Sequence, residues 1–97
     1  MATFLVLTRF TDQGSRNVKD TVARADAYKE MAKKLGVTVK ALYWTLGAYD
    51  VIALCDAPDD ETMTALSLSG GALGGVHTET LRAFSADEMK AILAKMP

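Results

Sequence analysis

Residues 42–56 read Leu-Tyr-Trp-Thr-Leu-Gly-Ala-Tyr-Asp-Val-Ile-Ala-Leu-Cys-Asp and carry the clearest structural pattern in the chain. Two runs rich in aromatic and β-branched residues flank the dipeptide Gly47-Ala48, which is typical of a tight β-hairpin. We therefore expect paired strands at about 37–46 and 49–56, joined by a two-residue turn.

The register of this hairpin divides its side chains between two faces, because side chains alternate along a strand. If Leu46 and Tyr49 close the turn, Trp44 lies opposite Val51. One face then carries Leu42, Trp44, Leu46, Tyr49, Val51 and Ala53, and the other carries Tyr43, Thr45, Asp50, Ile52 and Leu54. Both faces are mostly apolar and need cover, and Tyr43, Thr45 and Asp50 form a polar cluster on the second.

Strand and helix patterns extend on both sides of the hairpin. They predict a strand over 2–10, a polar loop over 11–16, a helix from Asn17 to Leu35 with Asp20 in its first turn, a helix from about Pro58 to Ser69, a strand over 76–84 and a last helix after the capping box Ser85-Ala86-Asp87-Glu88. The order β-α-β-β-α-β plus a terminal helix is typical of a ferredoxin-like α+β fold with a four-stranded antiparallel sheet. We expect one domain over residues 1–97, with the first and third strands central.

The helices of this arrangement cover only one face of the sheet. The other face is also apolar, and an exposed apolar surface of several hundred Å² commonly marks an interface. The sequence therefore predicts a homodimer or a higher homo-oligomer that associates through sheet faces or edges.

The bulk properties narrow the class of protein. The formal net charge is −1, so the chain has no basic excess to hold nucleic acid. No apolar run reaches the roughly 20 residues that cross a bilayer, and the first residues lack the basic region of a signal peptide. We expect a cytoplasmic protein with neither nucleic acid nor membrane as a partner. Cys55 is the single cysteine, and we expect a buried structural thiol.

Two stretches resemble binding motifs without meeting their requirements. Gly70-Gly71-Ala72-Leu73-Gly74-Gly75 leads from a helix into a strand, whereas a phosphate-binding loop leads from a strand into a helix. A flexible turn at the mouth of a pocket fits it better. The acidic residues of 56–61 fit helix capping better than a metal site.

Three segments together resemble the bacterial GYD-domain family. They are 45–50, which ends Gly-Ala-Tyr-Asp; Ala57-Pro58-Asp59-Asp60; and 78–84, Thr-Glu-Thr-Leu-Arg-Ala-Phe. The family is named for a glycine, a tyrosine and an aspartate that match Gly47, Tyr49 and Asp50. The resemblance spans nearly the whole chain and implies a ferredoxin-like, dimeric α/β-barrel assembly with a generally undefined biochemical role.

The best candidate site combines the hairpin with the last strand. Asp50, His77 and Glu79 are the candidate catalytic residues, and Tyr43, Trp44, Thr45, Tyr49 and Arg82 are candidate ligand-binding residues. Asp50 or His77 would act as a general base, and Arg82 or Trp44 would hold an anionic or aromatic ligand. Structural alternatives stand beside these roles: Asp50 satisfying turn amides, His77 on the surface, and Trp44 and Tyr49 in packing. Asp50, His77 and Glu79 lack the second histidine or tight spacing of a metal site, so we predict no metal and no cofactor.

Three functional classes remain open. The first is a homo-oligomeric small-molecule-binding protein with its ligand between the sheet and a partner subunit. The second is a cofactor-independent isomerase, lyase or monooxygenase, which rests on the fold alone. The third is a purely structural oligomer, and whether the chain is an enzyme stays open.

Overall fold

A computed structural model describes all residues, 1–97, as an antiparallel sheet with helices on one face. The elements are β1 (Ala2–Phe10), α1 (Asp12–Arg16), a 3-10 turn (Val18–Asp20), α2 (Thr21–Lys34), β2 (Thr38–Trp44), β3 (Val51–Ala57), α3 (Asp60–Ala72), β4 (Val76–Ala83) and α4 (Ala86–Leu93). The four strands lie in the order β2-β3-β1-β4, so β1 and β3 are central. The ferredoxin-like α+β prediction is confirmed.

The hydrophobic core lies between the central strands and the helices. Phe4, Val6, Ala53, Cys55 and Ala57 project from β1 and β3, and Ala32, Val37, Met63 and Leu66 cover them. Met63 and Leu66 are almost completely buried, and burying such a side chain contributes about 1.5–3 kcal/mol. Cys55 is a free, buried thiol, as predicted.

The opposite side of the sheet carries no helix, as the sequence predicted. Cross-strand pairs that include Leu5–Leu54, Leu5–Leu81 and Leu7–Ile52 place these side chains on that side. We call this surface the open face; it comprises Thr3, Leu5, Leu7, Arg9, Ala41, Tyr43, Ile52, Leu54, Asp56, His77, Glu79, Leu81 and Ala83. Its centre is aliphatic, and Tyr43 and Leu81 are 68% and 44% exposed.

The hairpin has the predicted register but not the predicted turn. Trp44 pairs with Val51, yet the strands end there, and 45–50 form a loop instead of a two-residue turn. Within the loop the Thr45 hydroxyl donates to the Tyr49 carbonyl at 2.6 Å, and Gly47 has a φ of 105°. Just past the strand ends, the Asp50 carbonyl still accepts from the Thr45 N–H at 2.8 Å, while the N–H and the carboxylate of Asp50 bond to β1.

The loop also corrects the predicted faces. Strand alternation does not apply to Tyr49, because it lies outside β3. Its hydroxyl contacts Glu79 on the open face instead of sharing the side of Trp44 and Val51.

The first helical segment also differs from the prediction. Residues 12–16 form α1 rather than a polar loop, because the Thr11 hydroxyl accepts from the Gly14 N–H and caps it. The long helix therefore begins at Thr21, not at Asn17. The Asn17 side chain donates back to the Gln13 carbonyl at 3.0 Å and caps no later helix, and Asp20 makes no side-chain cap either.

The remaining helix ends follow the capping chemistry of the sequence. Asp59 accepts from the Thr62 N–H at 2.7 Å and starts α3, so part of the acidic run caps a helix as predicted. The helix continues through Gly70 and Gly71 to Ala72, three residues beyond the predicted end. Ser85 and Glu88 form the predicted capping box of α4.

Candidate functional site

A cavity of about 380 Å³ lies between the helices and the sheet. We call it the helix-side cavity. Sheet residues that include Val6, Phe10, Leu42, Trp44, Val51 and Ala53 form one side, and Ala25, Tyr28, Met31 and Leu73 contribute to the other. Its volume falls within the range of roughly 300–1,000 Å³ that is usual for small-molecule sites.

The polar groups of the helix-side cavity come mainly from the first helical segments. Gln13, Asn17 and Arg24 are among its lining residues. Arg24 takes part in none of the chain's three ion pairs and in no side-chain hydrogen bond within the chain. An apolar cavity bordered by one unpaired guanidinium suits a ligand with an apolar body and an anionic group.

Two further contacts define the cavity wall. The Trp44 indole N–H donates to the Thr21 hydroxyl at 3.0 Å and joins β2 to α2. Deeper in, the Tyr28 hydroxyl lies 4.0 Å from the Cys55 sulfur. Burial raises the pKa of Tyr28 and of Cys55, so both groups are neutral at physiological pH.

The glycine-rich stretch borders the helix-side cavity, but its first three residues belong to α3 and only 73–75 form the predicted turn. Gly70 and Gly75 are lining residues. The Gly75 carbonyl accepts from the Thr11 N–H at 3.1 Å, and a Cβ on Gly14 would lie 2.1 Å from that carbonyl oxygen. Glycine at position 14 therefore lets α1 approach the turn before β4 closely enough to close this end of the cavity.

A second cluster of polar side chains lies on the open face. Arg9 contacts Glu79 at 3.3 Å and lies over the Tyr49 ring, 4.9 Å from its centroid. The Tyr49 hydroxyl donates to Glu79 at 3.1 Å, and His77 pairs with Arg9 across the sheet. The neighbouring Tyr49 is the main cause that raises the pKa of Arg9, with smaller contributions from Glu79 and Asp50.

The structure divides the predicted site residues among several places. Only Trp44 lines the helix-side cavity. Tyr49, His77 and Glu79 meet at the open face, where Tyr43 also lies, whereas Thr45 bonds within the hairpin loop. Asp50 accepts from the Phe10 N–H at 2.8 Å, which is a structural contact between the loop and β1. Their roles in binding or catalysis stay predictions.

Arg82 lies apart from both the helix-side cavity and the Arg9, Tyr49 and Glu79 cluster of the open face. It contacts Glu88 at 3.3 Å and lies 4.5 Å from the centroid of the Phe84 ring. It also borders an open groove of about 470 Å³ between α3 and β4, together with Phe4, Asp60 and Thr64. No group of three or more His, Cys, Asp or Glu side chains is arranged to hold a metal ion.

Sequence reasoning did not identify Gln13, Asn17, Arg24 and Tyr28 as cavity residues. The signal for Tyr28 was present, because it belongs to the apolar stripe of α2. Arg24 is one of several basic residues of α2, and only the tertiary position of the helix separates it from its neighbours Lys29 and Lys33.

Comparison with known proteins agrees with the fold and the hairpin motif. The GYD domain family model matches residues 4–93. The chain belongs to the GYD family. The match covers β2, β3 and β4 in full, β1 from Phe4 onward, and the predicted Gly47, Tyr49 and Asp50 signature, so the family resemblance inferred from the sequence is confirmed.

Two matches from Thermus thermophilus extend this comparison. The chain is 34% identical over 94 residues to the glutamine synthetase and cystathionine beta-lyase binding protein of that organism, covering 96% of this chain and 99% of the relative. It is also similar to the crystal structure of TTHA0845 from Thermus thermophilus, with a TM-score of 0.58 and 33% identity over 89% of this chain and 96% of that one.

None of the helices described above is long and apolar enough to cross a membrane.

Proposed function

We propose that this GYD protein is a homo-oligomeric binding protein that holds a small molecule with an apolar body and an anionic group in the helix-side cavity. The observation that carries the proposal is the cavity itself, an apolar space of about 380 Å³ with Arg24 unpaired among its lining residues. The sequence placed the ligand between the sheet and a partner subunit. The cavity that the chain forms by itself lies on the other side of the sheet, so we assign the ligand to that side.

The lining chemistry defines the ligand class. Tyr28 and Trp44 offer aromatic surfaces and Met31 an adaptable one, all suited to a flat or branched apolar body. Arg24 supplies a charged donor fork, and Gln13 and Asn17 supply neutral hydrogen-bonding groups. An aryl or alkyl carboxylate of modest size matches this combination.

Trp44 provides a direct test, because it is the single tryptophan of the chain and lines the helix-side cavity. A panel of carboxylates is titrated by tryptophan fluorescence and calorimetry, with phenylacetate and its neutral amide phenylacetamide as a matched pair. We expect Arg24→Gln to weaken carboxylate binding by about tenfold to a hundredfold, in line with about 1.5–3 kcal/mol for a hydrogen bond to a charged group. The amide should be affected little.

Lys29→Gln is the matched control, since it removes the same charge from α2 at a residue outside the cavity lining. It should bind carboxylates like the wild type. Equal losses in both variants would indicate a general charge effect, and a panel without any binder that quenches Trp44 would contradict the proposed ligand class.

A second candidate function is binding to metabolic enzymes, and the named GYD relative supports it. That relative is called a binding protein for glutamine synthetase and cystathionine beta-lyase, and its match to this chain is full-length. Gel filtration of this chain mixed with the glutamine synthetase or the cystathionine beta-lyase of its own organism tests whether this chain binds the same enzymes as its relative. Co-elution supports an enzyme-binding role, and separate elution at micromolar concentrations of both proteins contradicts it.

The catalytic alternative has less support from this geometry. The Asp50 carboxylate accepts a backbone N–H, and neither Asp50 nor His77 lines the helix-side cavity. The third class, a purely structural oligomer, is the result expected if no small molecule and no enzyme binds.

A further inference from the structure

The last helix stands away from the rest of its own domain. α4 makes no substantial contact with any other helix or strand, and only Glu88 and Ile92 among its residues are even half-buried. Met89, Ile92, Leu93 and Met96 recur at three- and four-residue spacing and form one apolar stripe. Three of these side chains are exposed: Met89 by 42%, Leu93 by 54% and Met96 by 66%. We call residues 84–96 the arm.

A network of contacts at the base of the arm fixes the orientation of the arm relative to the sheet. The Glu88 carboxylate accepts from the Ser85 N–H at 2.9 Å and from Arg82 at 3.3 Å. Arg82 also donates to the Thr3 carbonyl at 3.2 Å and lies over the Phe84 ring. The arm is therefore a preorganised projection, and preorganisation reduces the entropy that a binding surface loses on association.

The surface area of the chain indicates a missing partner. A folded monomer of this mass is expected to expose about 5,400 Å², whereas this chain exposes 6457 Å². The excess of about 1,000 Å² is at least the roughly 800 Å² that each partner buries in a standard interface. The shape agrees: the radius of gyration is 14.6 Å, against about 12.5 Å for a compact domain of this length.

We propose that the arm of each protomer packs against a second copy of this chain, at the border of that copy's open face. This deepens the self-association within the proposed function and rests on it. A two-fold dimer is self-complementary, so one interface would cover two arms and two open faces at once. Leu81, 44% exposed on the open face, and Phe84, 49% exposed at the start of the arm, both lie at the end of β4, so the open face and the arm begin at the same end of the sheet in each copy.

The charges of the arm favour a protein surface over a membrane. Asp87 and Glu88 balance Lys90 and Lys95, so the helix lacks the basic excess that anionic lipid attracts. The open face presents both signs as well, with Arg9 and Glu79 at one end and Asp56 near Lys40 at 3.6 Å at the other. The open face of a second copy is aliphatic at its centre, so the apolar stripe of the arm can pack against it.

Sedimentation velocity of the full chain at micromolar concentrations tests the proposal with two matched variants. Leu93→Glu introduces a charge into the apolar stripe of α4, and Ala91→Glu introduces the same charge on the opposite side of the same helix. We expect a wild-type dimer, a dissociation constant raised roughly tenfold or more by Leu93→Glu, and one within about twofold of wild type for Ala91→Glu. Circular dichroism verifies that both variants keep their helix content.

Leu81→Glu, on the open face, separates the arm from sheet-face association. If Leu81→Glu weakens the dimer and Leu93→Glu does not, copies associate through the open face alone and the arm proposal is wrong. If the wild type is a monomer at these concentrations, the arm does not bind a second copy, and both the arm proposal and the proposed homo-oligomer are wrong. Ligand binding is measured separately by Trp44 fluorescence, so neither sedimentation result decides whether the helix-side cavity binds a small molecule.

Discussion

The Asp50 carboxylate accepts a hydrogen bond from the backbone N–H of Phe10 at 2.8 Å, and the Asp50 N–H donates to the Thr8 carbonyl at 2.8 Å. One residue thus joins the hairpin loop to the end of β1 with both its side chain and its backbone. In a GYD protein this gives the aspartate of the signature a structural function that is independent of any ligand.

Replacing Asp50 by alanine should therefore destabilise the fold. The Phe10 N–H would lose its acceptor at a partly buried position, and an unsatisfied buried donor costs about 1–3 kcal/mol. Asp50→Asn keeps a carbonyl acceptor and should lose less. Urea unfolding measures both free energies, and binding to the helix-side cavity should survive in both variants. An alanine variant as stable as the wild type would show that the contact contributes nothing.

A pair of glycine substitutions should have opposite effects on stability. A Cβ at Gly14 would lie 2.1 Å from the Gly75 carbonyl oxygen, so Gly14→Ala forces α1 away from the turn and should cost about 1–3 kcal/mol. Gly71 lies within α3 and a Cβ there meets nothing within 4 Å, so Gly71→Ala should stabilise the protein by about 0.5–1 kcal/mol. Thermal unfolding compares the two, and a shift of the same sign in both would contradict the geometry.

The sequence contained enough information for the architecture but not for the site. Periodicity and caps determine the order of strands and helices, because the aliphatic runs of β1 and β3 and the Ser85 capping box act locally. The path of Tyr49 and Asp50 depends on β1, which is about 40 residues distant in sequence. Arg24 becomes a cavity residue only when α2 lies over the sheet, and no local pattern distinguishes it from the other basic residues of α2.

Alkaline pH should destabilise the protein through Cys55 and Tyr28. Burial raises the pKa of each group in the folded state, so the folded protein holds its proton more tightly than the unfolded chain does. That stability is fully present below the unfolded pKa, near 9.0 for the thiol and 10.0 for the phenol, and is lost as the pH rises above these values.

Urea unfolding at a series of pH values from 7 to 10 should therefore show a free energy of unfolding that falls only above about pH 9. Cys55→Ala removes the contribution of the thiol, so its curve should fall less steeply than that of the wild type from about pH 9 upward. Parallel curves for the two proteins would show that Cys55 ionises as easily in the folded state as in the unfolded chain.

The arm should fray in acid before the sheet unfolds. The Ser85 N–H is the main cause that lowers the pKa of Glu88, and Arg82 adds to it, so the capping box favours the charged carboxylate. A lowered folded pKa gives stability that is present above the ordinary value of 4.5 and is lost as the pH falls below it. Protonation therefore removes the negative charge that strengthens the bonds from Ser85 and Arg82 to Glu88 at the helix start. Hydrogen exchange at acidic pH should show faster exchange for the amides of α4 while those of β1 and β3 stay protected.

Arg82→Gln should reproduce this local fraying at neutral pH. It removes the ion pair to Glu88 and the contact with the Phe84 ring, while the capping box between Ser85 and Glu88 remains. The global free energy of unfolding should change by less than about 1 kcal/mol, because the ion pair is partly exposed. Lys90→Gln is the control, since it removes one positive charge from α4 without breaking an ion pair. If α4 amides exchange at the same rate in both variants, Arg82 does not hold the arm, and the preorganisation on which arm docking depends must come from the capping box alone.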